Sequence, residues 1–449
     1  MSTIEKPDMT QAKILLPLVS FTIPLVLGNL FQLTYNAADS VIVGKYVGEQ
    51  ALAAVGTSTP IMNIAILLIS GMCMGASVLM SSQYGAKDYD TLSRQISTTM
   101  LAGCGFSVVF SLLMLLLANP VLRLIRVPET AIPEAAAYLR IIFMGLIFTF
   151  MYNFLANTMR ALGDSKTPLY FLVTSAFLNI FGDLFFVVVL RWGVAGSAIA
   201  TVCSEGLCCL LCGIYIKKKI PLLCLGKKWW VFDKSLLGKT VSYGSTSAMQ
   251  QVCLQLGKLI IQSVVNTQGV AVMAAFTAVN RVDDFAYTPQ QNIGHAMTTF
   301  LAQNKGAGHK ERMKKGFQTG LLIELVYSIG LFCVIWGLAP QIMTLFAEDG
   351  DAQVVSLGIS YLHLISWMYI LPGLTNGVQG FFRGIGDLKV TLYSTFMNMF
   401  GRVVAVFVMI RLLQMEFASL AWANMVGWIV MLLFEVPLLV KSMRNGECG

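Results

Sequence analysis

Residues 160–166 read Arg-Ala-Leu-Gly-Asp-Ser-Lys, and residues 383–389 read Arg-Gly-Ile-Gly-Asp-Leu-Lys. The shared pattern is Arg-x-x-Gly-Asp-x-Lys, and three more pairs follow in the same order at an offset near 221. Gly48-Glu-Gln-Ala-Leu-Ala-Ala54 matches Gly269-Val-Ala-Val-Met-Ala-Ala275. Gln83-Tyr-Gly-Ala86 matches Asn304-Lys-Gly-Ala307, and Asn179-Ile-Phe-Gly182 matches Asn398-Met-Phe-Gly401. One short match is what chance supplies; four in register indicate two homologous halves. Gly in each motif suits a tight turn after a helix, and Pro168 suits the start of the next helix. A structural or gating role accounts for these loops better than catalysis.

The solvent of these halves follows from composition. Of 449 residues, 56% are hydrophobic and 12% charged, with a mean hydropathy of +0.71. A soluble domain carries about 25% charged residues, so lipid is the expected solvent. Spans of about 20 apolar residues are expected near 14–40, 52–82, 95–118, 134–162, 167–190, 193–216, 236–266, 270–303, 316–338, 353–382, 388–411 and 416–440. These make an all-α integral membrane protein of twelve helices in two six-helix lobes. The expected N-terminal lobe is 1–216, the linker 217–239 and the C-terminal lobe 240–449. Six helices per half make the repeats parallel, related by an axis along the membrane normal. The linker is basic, holds Pro221 and Gly226, and carries Trp229 and Trp230, which suit an interface.

With the N-terminus inside, the inner loops take most of the 31 Lys and Arg, while the outer side holds Lys45, Arg123, Arg126, Arg140, Arg191 and Arg411. That bias places both termini in the cytoplasm. It also explains the net charge of +8 without a nucleic-acid partner. The first thirteen residues lack the order of a secretory signal. Cys203, Cys208, Cys209 and Cys212 lie in one apolar stretch without a nearby His, and read as packing residues.

Polar side chains inside spans are costly and call for protein or water around them. In the first span Asn29, Gln32, Asn36 and Asp39 share one face, with Tyr35 beside Gln32. In the fifth, Asn179 and Asp183 are one turn apart, roughly 18 and 24 Å above the start of the helix. Asn153 on the fourth span and Thr201 on the sixth, roughly 15 Å and 12 Å from their own boundaries, fall at matching depths. Asp39, Asn153, Asn179, Asp183 and Thr201 are therefore the expected coupling-cation residues. Asp183, Asn179 and Thr201 offer hard oxygens for sodium; an Asp carrying a proton, or an interhelical network that only packs the lobe, are the alternatives. Glu205, Glu324 and Glu435 are lone acids within spans. Pro24 removes one backbone bond from the first span and is expected to kink it.

The second half does not copy these charges: Ile260 and Arg402 stand where Asp39 and Asp183 would fall. Its first span instead shows Gln251, Gln255, Lys258 and Gln262, and its second has Arg281 and Asp284 at pairing distance, beside Asp283.

With these residues in hand, the chain resembles the multidrug and toxic compound extrusion (MATE) family over its whole length. The likeness lies in the twelve spans, the two lobes, Pro24 and Asp39, Gln83-Tyr-Gly-Ala86 and the paired Arg-x-x-Gly-Asp loops. It looks closest to the DinF-like branch, whose cation site Asp39, Asn179, Asp183 and Thr201 match; Asn153 joins them on the register of the fourth span alone. NorM-like members place acids in the seventh and tenth helices, where Gln251, Gln255 and His363 stand here without a matching acid. The resemblance implies a V-shaped antiporter. It would export amphiphilic, cationic compounds in exchange for H+ or Na+, with Gln32, Tyr35, Asn36, Gln251 and Gln255 lining the substrate cleft. The implied setting is a bacterial inner membrane. The expected partners are small organic substrates and lipid, with no nucleic acid and no cofactor beyond the ion, and the expected working form is a monomer.

Two rivals have a footing in the sequence. A lipid-linked oligosaccharide flippase would set Lys258, Arg281 and Arg402 in the central cleft for a pyrophosphate. An enzyme would need more than His295, His309 and His363, which are far apart in sequence. No G-x-x-x-x-G-K-[ST] phosphate loop is present, which argues against an ATPase.

Overall fold

The structure is a computed structural model. It describes residues 9–11, 13–125, 127–129, 131–220, 230–346, 352–413, 417 and 419–444. At 36–38, 40, 41, 49–53, 346, 411, 412 and 419 it describes the backbone alone. Helices account for nearly all of it: α1 Leu15–Tyr46, α2 Glu49–Gly85, α3 Tyr89–Leu124, α4 Ile132–Met144, α5 Leu146–Ala161, α6 Lys166–Asp183 and α7 Gly193–Lys219. There follow α8 Lys234–Val265, α9 Val270–Gly306, α10 Lys310–Phe346, α11 Ala352–Ser366, α12 Ile370–Gly384, α13 Leu388–Phe407 and α14 Ser419–Arg444.

Among the described residues nine helical stretches are long and apolar enough to cross a membrane, and the bent pair α4 and α5 makes ten. The remaining two, α8 and α9, have 32 and 37 residues but carry Gln, Lys, Arg and Asp along their length. Together they give the twelve spans expected. The fourth span of each half is discontinuous. In the first half α4 and α5 meet at Gly145 with a 46° bend; in the second a 3-10 turn, Trp367–Tyr369, separates α11 from α12.

The repeat is also written in the backbone. Gly48 and Gly269 have φ of +114° and +104°, and Gly163 and Gly386 of +85° and +84°. The last two are the Gly of the Arg-x-x-Gly-Asp motifs. Only glycine takes this left-handed turn without a Cβ clash. Asp164 then accepts from the Thr167 amide at 3.1 Å and from its hydroxyl at 2.8 Å, fixing the start of α6.

The chain forms two compact units. One joins Met1–Val26 to Met249–Gly449; the other is Leu27–Ala248. Their limits therefore fall inside α1, two residues after Pro24, and inside α8, instead of at the expected 217–239 linker, of which 221–229 lie outside the described residues. The helix α1 runs through Pro24 without ending. The reason for the shift is packing. In the first unit, Leu18, Phe21 and Leu25 of α1 are buried with Ile293, Phe300 and Phe381. In the second, the beginning of α8 is held on α2 and α3: Arg94 pairs with Asp233 at 2.6 Å, Gln95 donates to Thr240 at 2.5 Å, and the Val231 amide donates to Ser97 at 3.0 Å. Asp233 also accepts from the Ser235 and Leu236 amides, which caps α8.

Small residues let α8 close on α2. A Cβ on Gly75 would lie 2.5 Å from the Tyr243 carbonyl, and one on Gly71 2.5 Å from Ala248 Cα. In lipid, such backbone approach replaces the hydrophobic drive between helices. Gly75→Leu is therefore expected to destabilise the protein by about 1–3 kcal/mol, read as a lower melting temperature in detergent, with Gly105→Leu, which meets open space, as the control.

Outside the spans Asp88 caps α3 by accepting from the Thr91 amide at 3.1 Å, and the Thr91 hydroxyl together with that amide holds its carboxyl below the usual carboxylate range. Asp88→Ala is expected to cost about 1 kcal/mol at neutral pH. A depressed carboxyl contributes above its unfolded pKa and loses that contribution as pH falls. The melting difference between wild type and variant should thus shrink below about pH 4.

Candidate ion site

The second unit gathers four of the five expected coupling residues. Asn179 and Asp183 end α6, and Ser197, Thr201 and Glu205 follow one another at four-residue steps along α7, on one face. The two helices meet closely because a Cβ on Gly182 would lie 2.9 Å from Ala200 Cβ, and one on Gly196 3.1 Å from the Phe186 backbone. Directly after Asp183 the helix widens into a π segment, Leu184–Val189. Such segments recur at functional sites.

Asp183 is 0% exposed and Asn179 3%, so the side chains face protein. The Ser197 hydroxyl donates to Asp39 at 2.7 Å, Asn179 donates to the Thr201 hydroxyl at 3.2 Å, and that hydroxyl donates to the Ser197 carbonyl at 3.1 Å. Asp39 and Asp183 lie within electrostatic reach of each other. With both ionised, neither Asp183 oxygen has a donor, nor has the Asn179 Oδ1. Among the described residues no Lys or Arg forms an ion pair with either acid. Two carboxylates and an amide oxygen thus converge without a counter-charge, which is what a proton or a small hard cation neutralises.

The NH2 of Asn153 donates to the Thr149 carbonyl one turn back on α5, at 2.9 Å. Gln32 and Tyr35 are neighbours on α1, Gln32 exposed and Tyr35 half-buried. The Asn36 side chain lies outside those described. Gln251 and Gln255 are half-buried on α8, within the other unit.

Three groups escaped the sequence reading. Ser197 lies one turn before Thr201, and that spacing could have revealed it. Tyr138 of α4 sits within electrostatic reach of Asp39, Asp183, Tyr35 and Glu205, with no periodicity to announce it. Thr149 donates to Glu205 at 2.5 Å. Both border a cavity of about 20 Å³ lined also by Phe143, Leu146, Thr201 and Val202, room for about one water.

The first unit holds a different buried acid. Asp283 accepts from Tyr369 at 2.5 Å and Tyr361 at 3.1 Å, and Asn424 donates to Tyr361 at 2.8 Å. The Arg402 guanidinium is within electrostatic reach of Asp283. Asp284, expected opposite Arg281, pairs with Lys258 at 3.3 Å.

The MatE family model matches residues 24–185 and again residues 247–409. The chain belongs to the MATE family. Its two matched segments begin 223 residues apart, the spacing of the two Arg-x-x-Gly-Asp motifs, so the internal repeat is the family unit used twice. It is similar to the probable multidrug resistance protein YpnP of Bacillus subtilis (strain 168), 32% identical over 86% of each chain. The probable multidrug resistance protein NorM of Thermotoga maritima is 23% identical, covering 92% of this chain and 89% of its own. An outward-facing multidrug resistance MATE transporter shares the fold, with a TM-score of 0.91, 21% identity and coverage of 100% and 99%. A MOP superfamily transporter from Pyrococcus furiosus does so too, with a TM-score of 0.91 and 21% identity over 99% and 100%. This MATE chain is thus a multi-pass membrane transporter and not an enzyme.

Ser197→Ala removes the donor to the half-buried Asp39 carboxylate of this MATE chain and is expected to lower its stability by about 1 kcal/mol, measured as a melting shift in detergent. Ser197→Thr, which keeps the hydroxyl, should restore most of it.

Proposed function

We propose that the chain is a secondary antiporter that exports amphiphilic, cationic drugs or toxins in exchange for H+ or Na+. The observation that carries this is the nearness of Asp39 and Asp183: a half-buried carboxylate bonded by Ser197 beside a fully buried one for which no described residue supplies a donor. A pair that carries one negative charge with one cation bound and two without it has two states of different preferred packing. Inward ion flow supplies the cation from outside, and its release inside leaves the acids to attract a cationic substrate. Asn179 and Thr201 add the oxygen donors. Gln32, Tyr35, Asn36, Gln251 and Gln255 are assigned to the substrate path. The names of the relatives, multidrug resistance proteins, support the substrate class.

The flippase reading is weaker because two of its three cations have acidic neighbours inside their own unit, Lys258 beside Asp284 and Arg402 near Asp283. The basic loops support a bacterial inner membrane with both termini cytoplasmic. We assign no nucleic-acid partner and a monomeric working form.

The test is dye efflux from vesicles with imposed sodium or pH gradients. Asp39→Asn and Asp183→Asn are each expected to reduce gradient-driven efflux at least about tenfold, the loss of one state of the ion cycle. Undiminished efflux in both variants would remove the site. The gradient that drives the wild type identifies the ion.

A further inference from the structure

One face of the first unit is polar where lipid would demand apolar side chains. On α9, Thr277, Arg281, Asp284 and Gln291 fall on one side of the helix, and all four are exposed. Asp284 stands roughly 21 Å from the start of this 37-residue helix, far from either end. On α8, Gln251, Gln255, Lys258 and Gln262 share a face in the same way. The two stripes are joined where Lys258 Nζ meets Asp284 at 3.3 Å, and these side chains are 54% and 53% exposed. Leu259 and Phe285 follow directly on this pair in sequence. Both are exposed, and helical phase puts each at the edge of its stripe.

The geometry points to a binding face for a zwitterionic amphiphile, a molecule with a positive and a negative group on one apolar body. Lys258 and Arg281 take the negative group and Asp284 the positive one. Charged side chains at this depth are too costly to turn toward acyl chains, so the stripe meets water. An ion pair that open adds little to stability, because water screens it and two long side chains must be held still. Its two charges therefore exchange partners at little cost. The neighbouring acid behaves otherwise: Asp283 is 3% exposed and held by Tyr361 and Tyr369, beyond a ligand's reach. The mixture of signs selects the ligand. A plain cation drawn to Asp284 comes up against Lys258 and Arg281, and a plain anion drawn to Lys258 comes up against Asp284. A head group with both signs gives each sign a partner, and Leu259 and Phe285 offer apolar contact to the body that carries it. The inference rests on the exporter reading and narrows its substrates to cationic amphiphiles that also bear an anionic group.

The test uses two dyes that differ in one charge. Rhodamine B is a cationic dye that also carries a carboxylate, and its ethyl ester is the same dye without that negative charge. The full chain in detergent is titrated with each and read by fluorescence anisotropy, with empty micelles as the blank. Wild type is expected to bind rhodamine B about tenfold more tightly than the ester, the worth of one charge-assisted contact. Lys258→Gln should abolish that preference by weakening rhodamine B while the ester binds as well as before or better. Lys258→Arg, which keeps the charge, should retain it, and Arg281→Gln should reduce it. Equal affinity of the two dyes for wild type overturns the proposal and needs no variant to fold. A preference that survives intact in both Lys258→Gln and Arg281→Gln overturns it too. Binding is read without a gradient, so a lack of driven efflux sinks the exporter reading alone, and equal dye affinities sink this inference alone.

Discussion

A hydrocarbon solvent offers no hydrogen bonds, so every polar atom at membrane depth must find its partner in the protein. The Ser197 hydroxyl on Asp39 is where this constraint bears most directly on the candidate site. One donor is enough to hold a carboxylate in place but not to satisfy it. The unmet remainder is spread over Asp183 and the Asn179 carbonyl oxygen. Close contact of α6 with α7 at Gly182 and Gly196 sets these groups face to face, and the widened turn after Asp183 ends the helix where the acid stands.

The two units answer the same constraint with different chemistry. Where one unit has Asp183, the other has Arg402, near an acid already bonded by two tyrosines. Self-contained pairing of that kind suits a static scaffold. Both units nonetheless break their fourth span and cover the freed carbonyls from the neighbouring helix, Ser111 on Phe143 and Ser328 on Tyr369. The backbone plan was duplicated, and the charges then diverged.

The spans, the repeat and the tight turns were legible in the sequence because each rests on local rules: apolar run length, a glycine with positive φ, a capping acid. Asp39, Asn179, Asp183 and Thr201 were legible because a polar residue in an apolar helix is conspicuous by itself. Asn153 rests on the register of its span alone, and its NH2 bonds to its own helix. Tyr138 and Ser197 stayed hidden, because a tyrosine or serine in a span carries no cost that marks it out. The unit limits inside α1 and α8 depend on which distant side chains fill a core, and no single window of sequence contains that information.

The passage of α8 from one unit to the other has a bearing on how such a chain can be divided. A fragment ending at the loop after α7 would leave Gly71 and Gly75 facing lipid with nothing laid across them, and Gln95 without Thr240. Neither gene half therefore encodes a self-sufficient body. Each of the two compact units is completed by a segment from the other half of the sequence, the start of α1 in one and the start of α8 in the other.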